Sequence, residues 1–329
     1  MNDRIKRGVV LFLVFTVIAY AAIIFIYLRG FPKNAEMNFR WDFILGAFFL
    51  FAVSTLFNIL RVFFLGRIFS KSFTFSDSAS FTLGGVLLAL ITPFQAGGMP
   101  FQLYIMSKRG ISPGEGTSVL VSRGVQSVFV FAATIPFTMF FFSNLLSGGM
   151  VENLIKYFLV LYSILFLTVG IILAFTSRIK SGVSEGRMNE KIKKAVLKIL
   201  DEVQNFRRGM QIMITKGLRE SILSLLCAFI SLYGSFSLTY FIVMMANGKN
   251  DFFLSFNMQF LLTYLSAFVP TPGSSGVAEG GIALFYSQVI PKSATLPFIF
   301  IQRLVTTYIP ALMGLLLMFG KKSILKEIK

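Results

Sequence analysis

Long apolar runs, separated by short polar breaks, fill almost the whole chain. Crossing a hydrocarbon core takes roughly 20 helical residues at 1.5 Å each. Runs of that order lie at 9–28, 42–65, 117–142, 153–176, 219–246 and 294–319, which predicts six full membrane-spanning helices. Two further runs, 79–107 and 254–290, are too long for one crossing and are interrupted by Pro, Gly and Ser. Each reads as two complete helices or as a re-entrant helical hairpin. Length favours the hairpin, because only about 13 to 17 residues precede each break, short for a span and right for a half-helix.

The two breaks carry the same short string. The first reads Thr92-Pro93-Phe94-Gln95-Ala96-Gly97 and the second Thr271-Pro272-Gly273-Ser274-Ser275-Gly276, each followed about thirty residues later by an arginine, Arg123 and Arg303. Pro/Gly-interrupted hydrophobic segments at matching places in two halves of a polytopic chain are the best pointer in a sequence to a transporter's central site. The predicted fold is therefore an all-α integral membrane protein in which the two hairpins sit within an inverted-topology repeat. Residues 1–30 form an N-terminal signal-anchor helix. Residues 31–177 hold the first repeat (span, cytoplasmic-side hairpin, span) and an extra span, residues 178–217 a cytoplasmic linker, and residues 218–329 the second repeat with its hairpin entering from outside. The Ala19-Tyr20-Ala21 string mimics a signal-peptidase site, but the apolar run continues to Leu28, which favours a retained anchor.

A different period marks the linker. Ile192, Val196, Ile199, Val203, Phe206 and Met210 recur at helical spacing, with Lys191, Lys193, Lys194, Lys198, Arg207 and Arg208 between them. That pattern predicts an amphipathic helix, either a basic loop lying on the membrane or a binder of anionic headgroups.

Composition agrees with a lipid solvent. The 329 residues are 55% hydrophobic and 14% charged, with a mean hydropathy of +0.77, too little polarity for a water-soluble surface. The net charge of +17 belongs on cytoplasmic loops facing anionic lipid rather than on nucleic acid. Most of the lysines and arginines fall on one side if both termini are cytoplasmic in the cell membrane. Histidine is absent and Cys227 is the sole cysteine, which lowers the case for zinc or hydrolytic chemistry and assigns Cys227 to packing. No Gly-Lys-Ser/Thr phosphate loop occurs. Neither cofactor nor metal is predicted.

The intramembrane polar residues carry the candidate chemistry, since a charge at the bilayer centre costs about 2.5–3.5 kcal/mol even on insertion scales. Arg61, Arg123 and Arg303 face one acid, Glu279. Arg61, near a helix end, either snorkels or joins a site. Arg123 and Arg303 are placed on opposite sides of the midplane by the repeat. Either they cap carbonyls freed at the breaks, with Glu279 paired to Arg303, or the surplus positive charge binds a lipid phosphate. Gln95, Gln102, Ser274 and Ser275 add neutral donors. Pro93, Gly97, Gly98, Pro272, Gly273, Gly276 and Gly280 shape the hairpin backbones.

These residues carry a resemblance. Thr92 through Pro100, Lys108-Arg109-Gly110, Arg123, the Thr271 through Glu279 string and Arg303 are similar to the flippase-like transmembrane domain of lysylphosphatidylglycerol synthases and its stand-alone relatives, over most of the chain. The resemblance implies a lipid translocator that carries an aminoacylated or glycosylated phospholipid to the outer leaflet. It also implies that a chain ending at Lys329 does not itself make lysylphosphatidylglycerol. Met99 stands where many relatives have an acid, which leaves Glu279 as the acidic candidate for ion coupling.

The expected function is a non-enzymatic flippase-like translocator of a phospholipid or lipid-linked substrate. The rival is a membrane-embedded transferase, or an accessory subunit, in a lipid-modifying or polyprenyl-phosphate-sugar pathway; it would need Asp42, Asp77 or Asp251 to reach a site from the interface. A soluble or membrane-bound transferase partner and an oligomer stay open at this level.

Overall fold

The computed structural model describes residues 37–92, 96–146, 190–266, 276–286 and 289–319. Among them every regular element is helical. Four helices are long and apolar enough to cross a membrane: Trp41–Phe69, Pro113–Thr134, Leu218–Met245 and Lys292–Met318. The protein is a multi-pass helical membrane protein. The predicted runs at 9–28 and 153–176 lie outside the described residues.

We number the helices in chain order: α1 Trp41–Phe69, α2 Phe75–Leu90, α3 Gly98–Ser107, α4 Pro113–Leu146, α5 Glu190–Thr215, α6 Leu218–Met245, α7 Phe252–Ser266, α8 Val277–Tyr286, α9 Thr295–Arg303 and α10 Ile309–Phe319. Two of these bounds depart from the apolar pattern. The first of the interrupted runs begins its helix at Phe75 rather than 79, because Thr74 starts it with a reciprocal cap. Thr74 N–H donates to Asp77 Oδ2 at 2.7 Å, and Asp77 N–H donates to Thr74 Oγ1 at 3.2 Å. The run 294–319 is not one uniform helix: a π turn, Leu304–Tyr308, separates α9 from α10. A second π turn, Ser80–Gly84, lies inside α2. Apolar periodicity registers neither, since both helices stay apolar through the widened turn.

Other ends follow the same local chemistry. At α4 a second reciprocal cap pairs Ser112 with Glu115, whose Oε2 accepts from Ser112 N–H at 3.0 Å, and Pro113 takes the first helical position, where a missing N–H costs nothing. Asp251 caps α7 by accepting from Leu254 N–H at 2.9 Å. At the far end of α6, Asn247 adopts φ 51° and Gly248 N–H returns to Val243 C=O at 2.9 Å, the Schellman closure with Asn in the left-handed place. Replacing Thr74 with Ala should cost about 1 kcal/mol. Thermal melts in detergent should show a lowered midpoint for Thr74→Ala and little change for Thr74→Ser.

The chain divides into two compact units, one of residues 1–63, 73–105 and 224–329, the other of residues 64–72 and 106–223. In the first unit both interrupted runs fold back as antiparallel helical hairpins. A Cβ on Gly98 of α3 would stand 3.0 Å from Gly85 C=O of α2, and Gln102 Nε2 donates to Phe81 C=O at 3.4 Å. Thr92, the Thr of the first Thr-Pro, closes α2: its hydroxyl donates to Leu88 C=O at 2.7 Å and accepts from Gly97 N–H at 2.8 Å. In the second hairpin Tyr286, the last residue of α8, donates to Ser255 C=O of α7 at 3.3 Å. None of the four arms matches a bilayer core. α2 is about 24 Å long at 1.5 Å per residue, and α3 and α8 about 15 Å each, against roughly 30 Å.

α6 and α7 pack through an aromatic ladder, in which Phe236 meets Phe256 and Phe260 edge-on at 5.4 and 5.8 Å. The core of this unit centres on Ile242, Val243, Tyr286, Phe298 and Ile299, all fully enclosed. Leu45, Phe49 and Leu316 remain exposed, as expected of side chains that meet lipid.

In the second unit α5 lies along the first turns of α4. Gly114 N–H donates to Glu202 Oε2 at 2.7 Å, Gly209 abuts Ser118, and Ser122 Oγ points to Met213 Sδ at 3.0 Å. The contacts advance in the same direction along both helices, so the two run parallel. The predicted amphipathic helix is present, and Met213 on its apolar side is buried against α4 while Arg207 and Arg208 are exposed.

Candidate functional site

A helix that begins inside an apolar run exposes N–H groups with no water to satisfy them. α8 meets this demand with its own third residue. Glu279 is fully buried, and its Oε2 accepts from Gly276 N–H at 2.6 Å. Gly276 has φ +86°, a left-handed backbone that glycine adopts without the Cβ penalty. The other carboxylate oxygen, Oε1, lies 2.9 Å from Arg303 Nε, an ion pair in which the two side chains are 0% and 8% exposed.

Arg303 sits on the last residue of α9, immediately before the π turn. Its Nη1 donates to Thr307 Oγ1 at 3.2 Å, and its guanidinium stands 5.9 Å from the centre of the Tyr308 ring. One carboxylate thus faces both the positive end of the α8 dipole and a guanidinium. The pair ties the tip of the second hairpin to the last span.

Beside it lies a neutral network that the sequence analysis did not single out. Gln302 Nε2 donates to Gln259 Oε1, and Tyr286 Oη, whose one proton is shared with Ser255 C=O, lies 3.4 Å from that same oxygen. Gln259 in turn donates to Thr263 Oγ1 at 3.1 Å. These bonds join α7, α8 and α9 through buried amides. Gln259 stands between Met258 and Phe260 and Gln302 beside Arg303; a glutamine inside an apolar helix was the signal available.

The remaining predicted residues fall as follows. Gln102 lies in α3 and serves the first hairpin. Arg61 is buried in α1, and its backbone carbonyl accepts from Ser224 Oγ of α6 at 3.1 Å. Gly98 opens α3 with Gly97 in the turn just before it, and Gly280 lies in the first turns of α8. Arg123 belongs to the second unit, half-buried in α4, where its carbonyl accepts from Ser127 Oγ at 3.1 Å. Pro93, Gln95, Pro272, Gly273, Ser274 and Ser275 lie outside the described residues. Among the described residues no cluster of acid or cysteine side chains suits a metal ion.

Comparison with known proteins places this geometry in context. The family model described as the lysylphosphatidylglycerol synthase TM region matches residues 9–314. A UPF0104 membrane protein of Archaeoglobus fulgidus is similar to the chain, 25% identical over 298 residues that cover 88% of this chain and 90% of that protein. No solved structure matches it.

Proposed function

Because the chain belongs to the family of the lysylphosphatidylglycerol synthase TM region, we propose that it is a translocator that moves an anionic or modified phospholipid, or a glycolipid, between leaflets of the cell membrane and leaves it chemically unchanged. The observation that carries this reading is the Arg303–Glu279 pair, buried at a break in an apolar run. Ionisable groups held at such depth are costly and mark substrate or ion pathways. In this reading the two hairpins are re-entrant halves of an inverted repeat. The lipid's acyl chains stay in the bilayer while Arg123 and Arg303 each neutralise its phosphate in turn, the planar guanidinium suiting a bidentate contact. Glu279 balances Arg303 when the site is empty and releases it to the phosphate when the site is filled.

The transferase alternative gains nothing from the acids it needs. Asp77 and Asp251 are engaged in helix caps, and Asp42 pairs with Arg40 at 2.8 Å. Proteoliposomes carrying a fluorescent phospholipid test the proposal, with dithionite quenching of the outer leaflet as the readout. Wild-type protein should accelerate exchange over empty vesicles, and Arg123→Gln or Arg303→Gln should slow it at least about tenfold, the scale of one lost charged hydrogen bond. Unchanged rates in both variants, or a chemically altered lipid by mass spectrometry, would refute it.

A further inference from the structure

Within the first unit a cavity of about 160 Å³ opens among α1, α2, α6 and the junction of α9 and α10. Six of its lining residues are polar, namely Ser54, Thr55, Asn58, Thr82, Ser235 and Thr306, and none of the lining residues is charged. Two of them occupy the middle of the two π turns, Thr82 in Ser80–Gly84 and Thr306 in Leu304–Tyr308. Widened turns of this kind recur at functional sites because they aim a side chain that regular winding would point elsewhere. Thr306 Oγ1 is engaged, donating to Gln302 C=O at 2.7 Å. Thr82 Oγ1 is not: it is 3% exposed and has no hydrogen-bond partner. An enclosed hydroxyl without a partner costs roughly 1–3 kcal/mol, so the chamber has a donor and acceptor to offer an occupant.

We propose that this chamber is a binding site for a neutral, hydroxyl-rich group, of the size of one glycerol or one sugar ring. Charge sets the class. A phosphate, carboxylate or ammonium here would lack any counter-ion in the lining, whereas hydroxyls exchange donors and acceptors with Ser, Thr and Asn at no net charge. Size agrees, since a dry cavity of roughly 150 Å³ takes a six-membered ring. The inference goes beyond translocation, for it concerns binding and stands whether or not lipid is moved.

Native mass spectrometry of the full-length protein in an amine-oxide detergent provides the test, with decyl glucoside and a 1-monoacylglycerol as chain-bearing probes, free glucose and glycerol as chain-free ones, and dodecyl phosphate as the charged probe. Thr82→Val, which keeps shape and removes the hydroxyl, should weaken binding of the neutral probes about fivefold, the scale of one hydrogen bond. Val86→Phe, which fills the chamber from its α2 wall, should abolish it; a thermal melt checks that each variant folds, and Thr82→Val alone decides if Val86→Phe does not. Binding by chain-bearing probes only identifies a lipid headgroup, and binding by free glucose or glycerol a soluble polyol; both support the neutral class. Binding unaffected by Thr82→Val, no binding by any neutral probe, or equally tight dodecyl phosphate would overturn the assignment.

Discussion

Glu279→Gln should destabilise the protein by about 3–5 kcal/mol, because it leaves Arg303 charged and enclosed opposite a neutral amide. Arg303→Met should be as severe for the mirror reason. The double variant, Arg303→Met with Glu279→Gln, should recover most of the loss, since removing both members of a buried pair is often nearly neutral. Transport should not recover with it. Unfolding in detergent, followed by helical circular dichroism, reads the first effect and the dithionite assay the second. A pair that serves folding alone predicts full transport in the double variant, and a pair whose guanidinium meets the lipid predicts a stable, inactive protein. The geometry behind this expectation is the 2.9 Å contact at 0% and 8% exposure, where screening by solvent or salt is slight.

Gly314→Val in the last span should be strongly disruptive. A Cβ at Gly314 would collide with Leu83 C=O and lie 3.2 Å from Gly84 N. Those neighbours are backbone atoms of the π turn in α2, which cannot rotate aside as a side chain would. Small residues permit such backbone-to-backbone approach between membrane helices. Overpacking typically costs about 1–3 kcal/mol, and Gly314→Ala should already reach the upper part of that range. Gly124→Ala should be mild by comparison, since nothing lies within 4 Å of its added methyl. Paired melts of these variants measure the difference, and equal midpoints would show that α10 does not press on α2 as described.

Much of the architecture was readable from period and punctuation. The runs at 42–65, 117–142 and 219–246 became helices because a stretch of some twenty apolar residues has few alternatives in lipid. The helix of the first interrupted run ends where its Thr-Pro string begins, and Thr92 shows the reason: its hydroxyl supplies partners that the broken backbone lacks. The linker helix followed from residues at three- and four-residue steps. The Glu279–Arg303 pair expected from the sequence is present, and it is compatible with both readings of the arginines, as caps of freed carbonyls and as phosphate binders. What stayed hidden was geometric. A π turn inserts one residue per widening without altering composition, so neither Ser80–Gly84 nor Leu304–Tyr308 left a trace in hydropathy. The parallel packing of α5 on α4 rests on Gly114, Ser118 and Gly209, whose spacing is meaningful only once the partner helix is known. Thr82 and Thr306 looked like ordinary small polar residues until two separate turns brought them to one chamber.

The last span is gripped twice, by the second hairpin at Arg303 and by the first at Gly314, and the Leu304–Tyr308 turn lies between the grips. Rewinding that turn to regular helix would twist one grip against the other by about 100°, the angle of a single residue. The two hairpins therefore meet the same helix on either side of that turn, so any change in its winding would rotate the Arg303 contact relative to the Gly314 contact and shift it by about 1.5 Å.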